Sequence, residues 1–307
     1  MNIKLGNLRE VSCTCNNKCE FKESGFFYMS RIAVIISTLL IFLSVPLNAQ
    51  TKRALVIGIG EQQDKAWAKI NGDNDVSYVT EMLSKLGYKD MIVLVNRQAT
   101  KNGIIGAFMK IAKKCSEGDI VYVHFSGHGQ QVTDVNGDED DGWDEAWIPY
   151  DAFLKYDERG YRGEKHLIDD ELNRMLSDIR RRIGIRGKML VVVDACHSGD
   201  SSRDVGTDEI VRGVKDEFVI PVKNRITSRK DPELWLTLSA CKDYQLNQEM
   251  NNPHVGKLTY ALYSLYEKEG VTLDNVCSFI QNHRGRYAQT PVLTGELSAC
   301  SISDFFR

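Results

Sequence analysis

Short apolar runs rich in β-branched residues alternate along the chain with segments whose apolar positions recur every three or four residues. RALVIGIG (53–60), MIVLV (91–95), the run through IVYVHFS that ends at His128, MLVVVDA leading into Cys196, and LWLTLSA (234–240) read as buried strands. Helical spacing fills the gaps: Asn74 to Leu86, stopped by Gly87, then a helix capped by Thr100 and running to about Lys114. Asp169 or Asp170 starts a further helix through ELNRMLSDI. Leu258, Ala261, Leu262, Leu265 and Tyr266 mark another, stopped near Gly270, and a last one covers about Leu273–Asn282. Apolar strands separated by amphipathic helices predict an α/β fold, with a mainly parallel central sheet flanked by helices on both faces. Two stretches break the rhythm. Residues 130–146 are a polar, acidic loop, and residues 200–232 are charged, with Gly and Pro, and read as a loop or linker.

Composition narrows the setting. The chain has 307 residues, 42% of them hydrophobic, and a net charge of −3, so it lacks the basic footprint of a nucleic-acid binder. Arg31 precedes the apolar stretch 32–45, and PLNAQ follows it, the pattern of a secretory signal peptide over 29–49 cut near Ala49-Gln50. Met29 is then the expected start, and residues 1–28 an untranslated or disordered extension. A signal anchor is the alternative, but the run is short for a membrane span, so no stable anchor is expected. The expected location is periplasmic or secreted. Five cysteines remain after the cut: Cys115, Cys196, Cys241, Cys277 and Cys300. An odd number leaves one thiol free, and the other four are small core residues or two disulfides. Residues 50–307 hold no CxxC motif and no mixed His/Cys pair at zinc spacing.

The candidate chemistry lies at two strand ends. HFSGHG (124–129) and VVVDACHSG (191–199) each end an apolar run in a Gly-containing turn carrying one reactive side chain, His128 or Cys196. Open α/β sheets place their chemistry beyond the carboxyl ends of the strands. There, Cys196 would serve as nucleophile and His128 as its base, with the Gly129 and Cys196 amides forming an oxyanion hole. His124 and His197 are the neighbouring alternatives, both read as structural or partly exposed. Either residue alone could be a packed strand-end group, but the paired pattern favours a nucleophilic site.

The combination of FSGHG (125–129), DGWDEAWIPYD (141–151), IDDEL (168–172) and DACHSG (194–199) resembles the caspase–hemoglobinase clan of cysteine peptidases. Within it the match is to the metacaspase (bacterial orthocaspase) branch of the caspase-like family. SACKDYQ (239–245) and GKLTYAL (256–262) resemble that family's small-subunit region, so the resemblance covers roughly 52–300. Ala195 and Leu258 depart mildly from the usual Ser and Phe. The resemblance implies a caspase-like peptidase domain over 50–307, with a large-subunit-like part (51–210), a linker (200–232) and a small-subunit-like part (232–307). It also implies an acidic S1 pocket for an Arg or Lys side chain, built from Asp75, Ser126 and Asp194. Peptide or protein substrates with a basic P1 residue are the expected partners. Calcium is the expected activator, held by Asp144, Asp169, Asp170 and Asp204.

Read alone, DVNGDEDDGWDE (134–145) is a solvated loop whose opening resembles an EF-hand but whose spacing to a final Glu fails. Arg203, Arg212, Lys215, Lys223, Arg225, Arg229 and Lys230 crowd the linker. A peptidase with a basic P1 preference could process itself there, and an intact, active single chain is equally compatible with the sequence. A non-catalytic caspase-like interaction module and a clan peptidase with another P1 choice are the competing readings. A thiol redox protein would need a resolving cysteine, and none stands near Cys196 in the sequence.

Overall fold

In the computed structural model, residues 50–139, 141–197, 210–214, 216–221, 230–268, 270–296 and 300–307 are described. Six strands form the central sheet: β1 (Lys52–Gly58), β2 (Asp90–Val95), β3 (Ile120–Ser126), β7 (Lys188–Asp194), β9 (Leu236–Ser239) and β12 (Val292–Gly295). Their spatial order is β12-β9-β7-β3-β1-β2. Every pairing is parallel except that of β12 with β9. The antiparallel strand β12 went unread in the sequence because its four residues are half-buried or exposed and carry no apolar run. Strand β2 likewise is only partly buried, as befits the opposite edge.

Both faces of the sheet are covered, and the period of two along each strand divides the core. Leu55, Ile57, Val121, Val123, Phe125, Met189, Val191 and Val193 face α2 (Lys101–Lys114) and α3 (Asp169–Ile183). Ala54, Val56, Ile120, Tyr122, Leu190, Val192, Leu236 and Leu238 face α1 (Gly72–Lys85), α4 (Lys257–Leu265) and α5 (Leu273–Asn282). The Thr100 hydroxyl accepts from the Gly103 amide at 3.0 Å, so the expected cap of α2 is made. Leu190 is fully buried at the centre of this arrangement, where truncation to Ala would cost about 2–5 kcal/mol.

The acidic segment 130–146 is not the loop the sequence suggests. Strands β4 (Gly129–Thr133), β5 (Trp143–Trp147) and β6 (Leu167–Ile168) form a small antiparallel sheet across it. Alternation is masked there because buried acids, Asp134 and Asp144, interrupt the inward positions that Val132, Ala146 and Ile148 hold. The linker is also partly structured. Strand β8 (Val211–Arg212) joins a second three-stranded sheet with β10 (Asn247–Asn251) and β11 (His254–Gly256), and Val214 and Phe218 pack onto Trp67, Val132 and Tyr161. Two backbone bonds hold Phe218 against β4, its amide to the Gln131 carbonyl (2.8 Å) and its carbonyl to the Thr133 amide (3.1 Å). Charge density hid these contacts from a composition-based reading.

All five cysteines among the described residues are free thiols, which removes the two-disulfide alternative. No helix among the described residues is long and apolar enough to cross a membrane. The expected extension and signal segment at 1–49 lie outside the described residues.

Candidate active site

Strands β3 and β7 lie side by side in parallel with Ser126 opposite Asp194. His128 and Cys196 therefore follow two residues beyond matched strand ends, and both are buried on the same edge of the sheet. The Ala68 carbonyl, in the segment after β1, accepts a hydrogen bond from His128 Nε2 at 2.7 Å. The Trp67 ring packs beside the imidazole with centroids 5.2 Å apart. A carbonyl can only accept, so Nε2 carries the proton and Nδ1 presents a lone pair. That lone pair accepts from the Gly213 amide at 3.3 Å. Burial lowers the His128 pKa to about 4, the Ala68 bond opposes the shift, and the charge of Arg212 adds to it. The Cys196 thiol donates to the Gln245 carbonyl at 3.0 Å. Gly129 passes so close to this turn that a Cβ there would lie 2.6 Å from the Cys196 carbonyl oxygen. The two expected oxyanion-hole residues are thus adjacent backbone segments. His197 is partly exposed, with Nδ1 3.4 Å from Glu145.

The expected S1 residues come together around a cation supplied by the chain itself. Arg212 is fully buried, as are Asp75 and Asp194. Its Nη1 and Nη2 donate to the two oxygens of Asp75 at 2.6 and 3.1 Å, a bidentate pair. Nη1 also donates to the Asp194 carbonyl (3.2 Å) and lies 3.3 Å from its carboxylate. Nε donates to Glu249 at 3.0 Å. Burial by itself would raise the Asp194 pKa, but the Arg212 charge, followed by hydrogen bonds from Thr259 and Asn247, holds it below the usual carboxylate range. The same three carboxylates overcome the burial that would lower Arg212, and raise it.

Ser126 joins the same cluster through Asp75. It donates to Asp75 at 2.7 Å and meets His124 Nε2 at 2.9 Å, so it positions the carboxylate that grips the guanidinium. The sequence reading missed Glu249, Asn247, Thr259 and Gly256. Asn247 and Thr259 fix the two oxygens of Asp194. Gly256 donates to Asp75 at 2.9 Å, and a Cβ there would lie 2.6 Å from Nη1 of Arg212 and 2.2 Å from Asp194. Only glycine leaves room for the guanidinium. GKLTYAL, quoted for the family resemblance, contained two of these four; Glu249 and Asn247 carry no local signal.

The expected metal residues divide. Asp144, buried in β5, groups with Asp134 and Asp138, each offering an oxygen within 4.8 Å of the others. One oxygen of Asp144 and one of Asp138 are buried without a hydrogen-bond partner. Burial, then the charges of Asp169, Asp134 and Asp170, push the Asp144 pKa up to about 7. Asp169 instead accepts from Lys230 at 2.6 Å, and Lys230 also pairs with Glu139. Asp170 accepts from Asn136. Asp204 lies outside the described residues, as do Arg203, Lys215, Lys223, Arg225 and Arg229 of the linker. Asp134 and Asp138, left out of the expected set, belong to the cluster. The carboxylate-only donor set fits a hard cation such as calcium.

One absence inferred from the sequence is corrected. The Cys241 thiol donates to the same Gln245 carbonyl as Cys196, at 3.4 Å, so a second thiol does stand beside the candidate nucleophile. The two are far apart in sequence and meet only because β7 and β9 are neighbours in the sheet.

Residues 52–203 match the family model of the metacaspase, peptidase C14 domain. Metacaspase-1A of Aspergillus niger is 34% identical over 160 residues, which are 49% of this chain and 36% of that protein. Metacaspase-2 of Arabidopsis thaliana is 33% identical over 162 residues, 50% of this chain and 36% of that protein. The chain thus spans little more than a third of the length of the curated relatives it matches. Among solved structures, protein GSU0716 of Geobacter sulfurreducens superposes with a TM-score of 0.59 at 25% identity, covering 83% of this chain and 98% of that one. Caspase-1 of Spodoptera frugiperda superposes with a TM-score of 0.53 at 14% identity, over 80% and 89% of the two chains, and shares the fold. With the thiol and imidazole at matched strand ends of that fold, residues 52–203 carry the match to a metacaspase peptidase C14 domain, the domain of a cysteine-type peptidase.

Proposed function

We propose that this chain is a cysteine endopeptidase that cleaves after Arg or Lys through Cys196 and His128, and that it processes itself. The observation that carries the reading is the fully buried Arg212 side chain held by Asp75, Asp194 and Glu249 beside the two residues. A pocket already fitted around one guanidinium is a pocket for a basic side chain. Three carboxylates around one cation leave a net negative charge that repels an acidic P1 residue. Lys reaches the same charge as a point donor and lacks the Nε group that Glu249 receives, so Arg is the better substrate.

Cys196 first turns its thiol from Gln245 toward the lone pair on His128 Nδ1 and gives up its proton there. The thiolate attacks the carbonyl carbon of the P1 residue, and the amides of Gly129 and Cys196 face the oxyanion. His128 then delivers the proton to the departing amide nitrogen, while Ala68 holds the ring through Nε2. Water attacks the thioester, His128 takes a proton from it, and the thiol is regenerated. Asp75 and Asp194 hold the side chain without taking part in bond changes.

Calcium is the proposed activator. Asp134, Asp138 and Asp144 would hold it, with Asp169 and Asp170 adding charge nearby. Bound there it would supply charge neutralisation that orders the β4–β5 turn. Export with cleavage near Ala49-Gln50 completes the reading.

The test compares the full chain with Cys196→Ala on fluorogenic peptides ending in Arg, Lys or Asp, with calcium or chelator. Cleavage after Arg above Lys that vanishes in the mutant is the expected result. Cleavage after Asp, or none by folded protein in either calcium state, would sink the reading in favour of another P1 choice or an interaction module.

A further inference from the structure

We infer that Arg212–Gly213 is the bond this chain cuts in itself, and that until it is cut β8 closes the site as a built-in substrate. The inference rests on the peptidase reading above and adds the bond, its polarity and its consequence for access.

Three independent features of the backbone and side chain agree on the register. The Arg212 side chain fills the acidic pocket, fully buried. The strand that carries it is paired like an added peptide: Arg212 stands opposite Asn247 and Val211 opposite Gln248, antiparallel, and the Glu249 amide donates to the Ile210 carbonyl at 3.0 Å. The next amide nitrogen, that of Gly213, lies 3.3 Å from His128 Nδ1. A structural arginine would need the first feature and could use the second. It would not need the third, which sets Nδ1, the atom that takes up the thiol proton, against the nitrogen that leaves when the bond after Arg212 breaks.

Gly213 fits this place for a steric reason. Its φ is +141°, and a Cβ there would lie 2.6 Å from the Cys196 carbonyl oxygen and 3.1 Å from the Cys196 Cβ. Only glycine lets the chain pass the nucleophile this closely. Downstream, Val214 and Phe218 anchor the chain in the third apolar cluster, so the bond is held from both sides.

The balanced reaction is short. The Cys196 thiol proton moves to His128 Nδ1, and sulfur bonds to the Arg212 carbonyl carbon. The carbon–nitrogen bond to Gly213 breaks, and the His128 proton leaves with that nitrogen as a new α-amine. Water then adds to the thioester, the carbon–sulfur bond breaks, and Arg212 ends as a carboxylate. Before this, the thiol donates to Gln245, so the resting arrangement precedes attack. Afterwards Arg212 is a chain end no longer tethered through Gly213, and its departure opens the pocket to other peptides.

The test purifies the full chain as wild type, Cys196→Ala, Arg212→Gln and Arg212→Lys, with and without calcium. Intact mass and N-terminal sequencing follow the chain, and an Arg-ending fluorogenic peptide reads the peptidase separately. The expected wild-type product begins Gly213-Val214, forms with a rate constant independent of protein concentration, and precedes a matching rise in peptide hydrolysis. Cys196→Ala yields no such product, Arg212→Gln is not cut at that bond, and Arg212→Lys is cut about tenfold more slowly. If the Gln variant fails to fold by circular dichroism, the charge-keeping Lys variant decides. Peptide hydrolysis after Arg without any product beginning at Gly213 overturns the inference and leaves the peptidase reading standing. A rate that grows with concentration overturns the built-in substrate. Loss of both activities in folded wild type overturns both.

Discussion

Two acidic clusters of this molecule have opposite electrostatic states. Around Arg212, three buried carboxylates share one guanidinium of the same chain, with Asp194 further fixed by Asn247 and Thr259. At the β4–β5 turn, Asp134, Asp138 and Asp144 converge, with one buried oxygen of Asp138 and one of Asp144 lacking a hydrogen bond, while Lys230 bonds Glu139 and Asp169 and lies 4.0 Å from Asp138. The first cluster holds its cation on a side chain that the chain itself tethers. The second carries more negative charge than Lys230 at its rim offsets, and a small hard cation can offset the rest reversibly. A buried carboxylate without a partner is destabilising, whereas one paired with good geometry is held firmly. One acidic site is therefore suited to an irreversible step and the other to a reversible one.

The comparison breaks most severely at Asp194. Replacing Asp194 with Asn leaves the shape of the pocket and removes one of its charges. A desolvated pair broken on one side loses about 2–5 kcal/mol, so kcat/KM for Arg peptides should fall about 30-fold to several thousand-fold in steady-state assays. A variant within threefold of wild type would show that Asp194 is a turn-capping residue only.

Acid should weaken the first region next. His124 and His128 are buried, and burial lowers each to about 4 from the ordinary 6.5. The unfolded chain therefore binds protons first, and the stability these histidines contribute is full above pH 6.5 and lost as pH falls toward 4. At pH 5 the loss is about 2 kcal/mol for each. Urea midpoints at pH 7 and pH 5, compared between wild type and His124→Gln, read it directly; an unchanged difference between the two proteins would contradict the burial of His124. Between pH 7 and 5 His128 itself stays neutral in the intact chain, so self-processing by surviving folded protein should hardly change.

Calcium should sharpen the second region. At a hundredfold excess over its dissociation constant it would stabilise the fold by about 2.7 kcal/mol, visible as a raised thermal midpoint of the Cys196→Ala chain, which stays uncut. Asp144→Asn should remove that calcium response while raising the calcium-free midpoint, because a repelled buried charge has gone. A response identical in both proteins would move the ion elsewhere.

The smallest expected effect separates Arg from Lys in the pocket. Glu249 receives the Nε hydrogen that lysine lacks. Glu249→Gln should lower the Arg-to-Lys ratio of kcat/KM about tenfold, the scale of one charge-assisted bond. A uniform loss on both substrates would make Glu249 a structural anchor for Asn71 alone.

Much of this fold was open to reading in one dimension. The parallel strands and five helices announced themselves because each carries its own period, and a chain segment buried on one face must repeat at the pitch of its element. His128 and Cys196 were legible for the same reason, each closing an apolar run two residues past a strand end. Strand β12 and the β4–β5–β6 sheet were not, since edge and surface strands hide their alternation under polar residues.

The sequence by itself determined the sheet order's raw material, the candidate nucleophile and base and the acids available for a pocket, because these depend on residue type and local spacing. The tertiary structure decided which acids meet. It brought Glu249 and Gly256 to Asp75 and Asp194, tied Ser126 to Asp75, and regrouped Asp144 with Asp134 and Asp138. It also selected Arg212 from a linker full of basic residues and laid its following amide on His128. Nothing local distinguishes that arginine from its neighbours. Its place follows from long-range strand pairing with β10 and from the buried charge it must neutralise, and both exist only once the chain has folded.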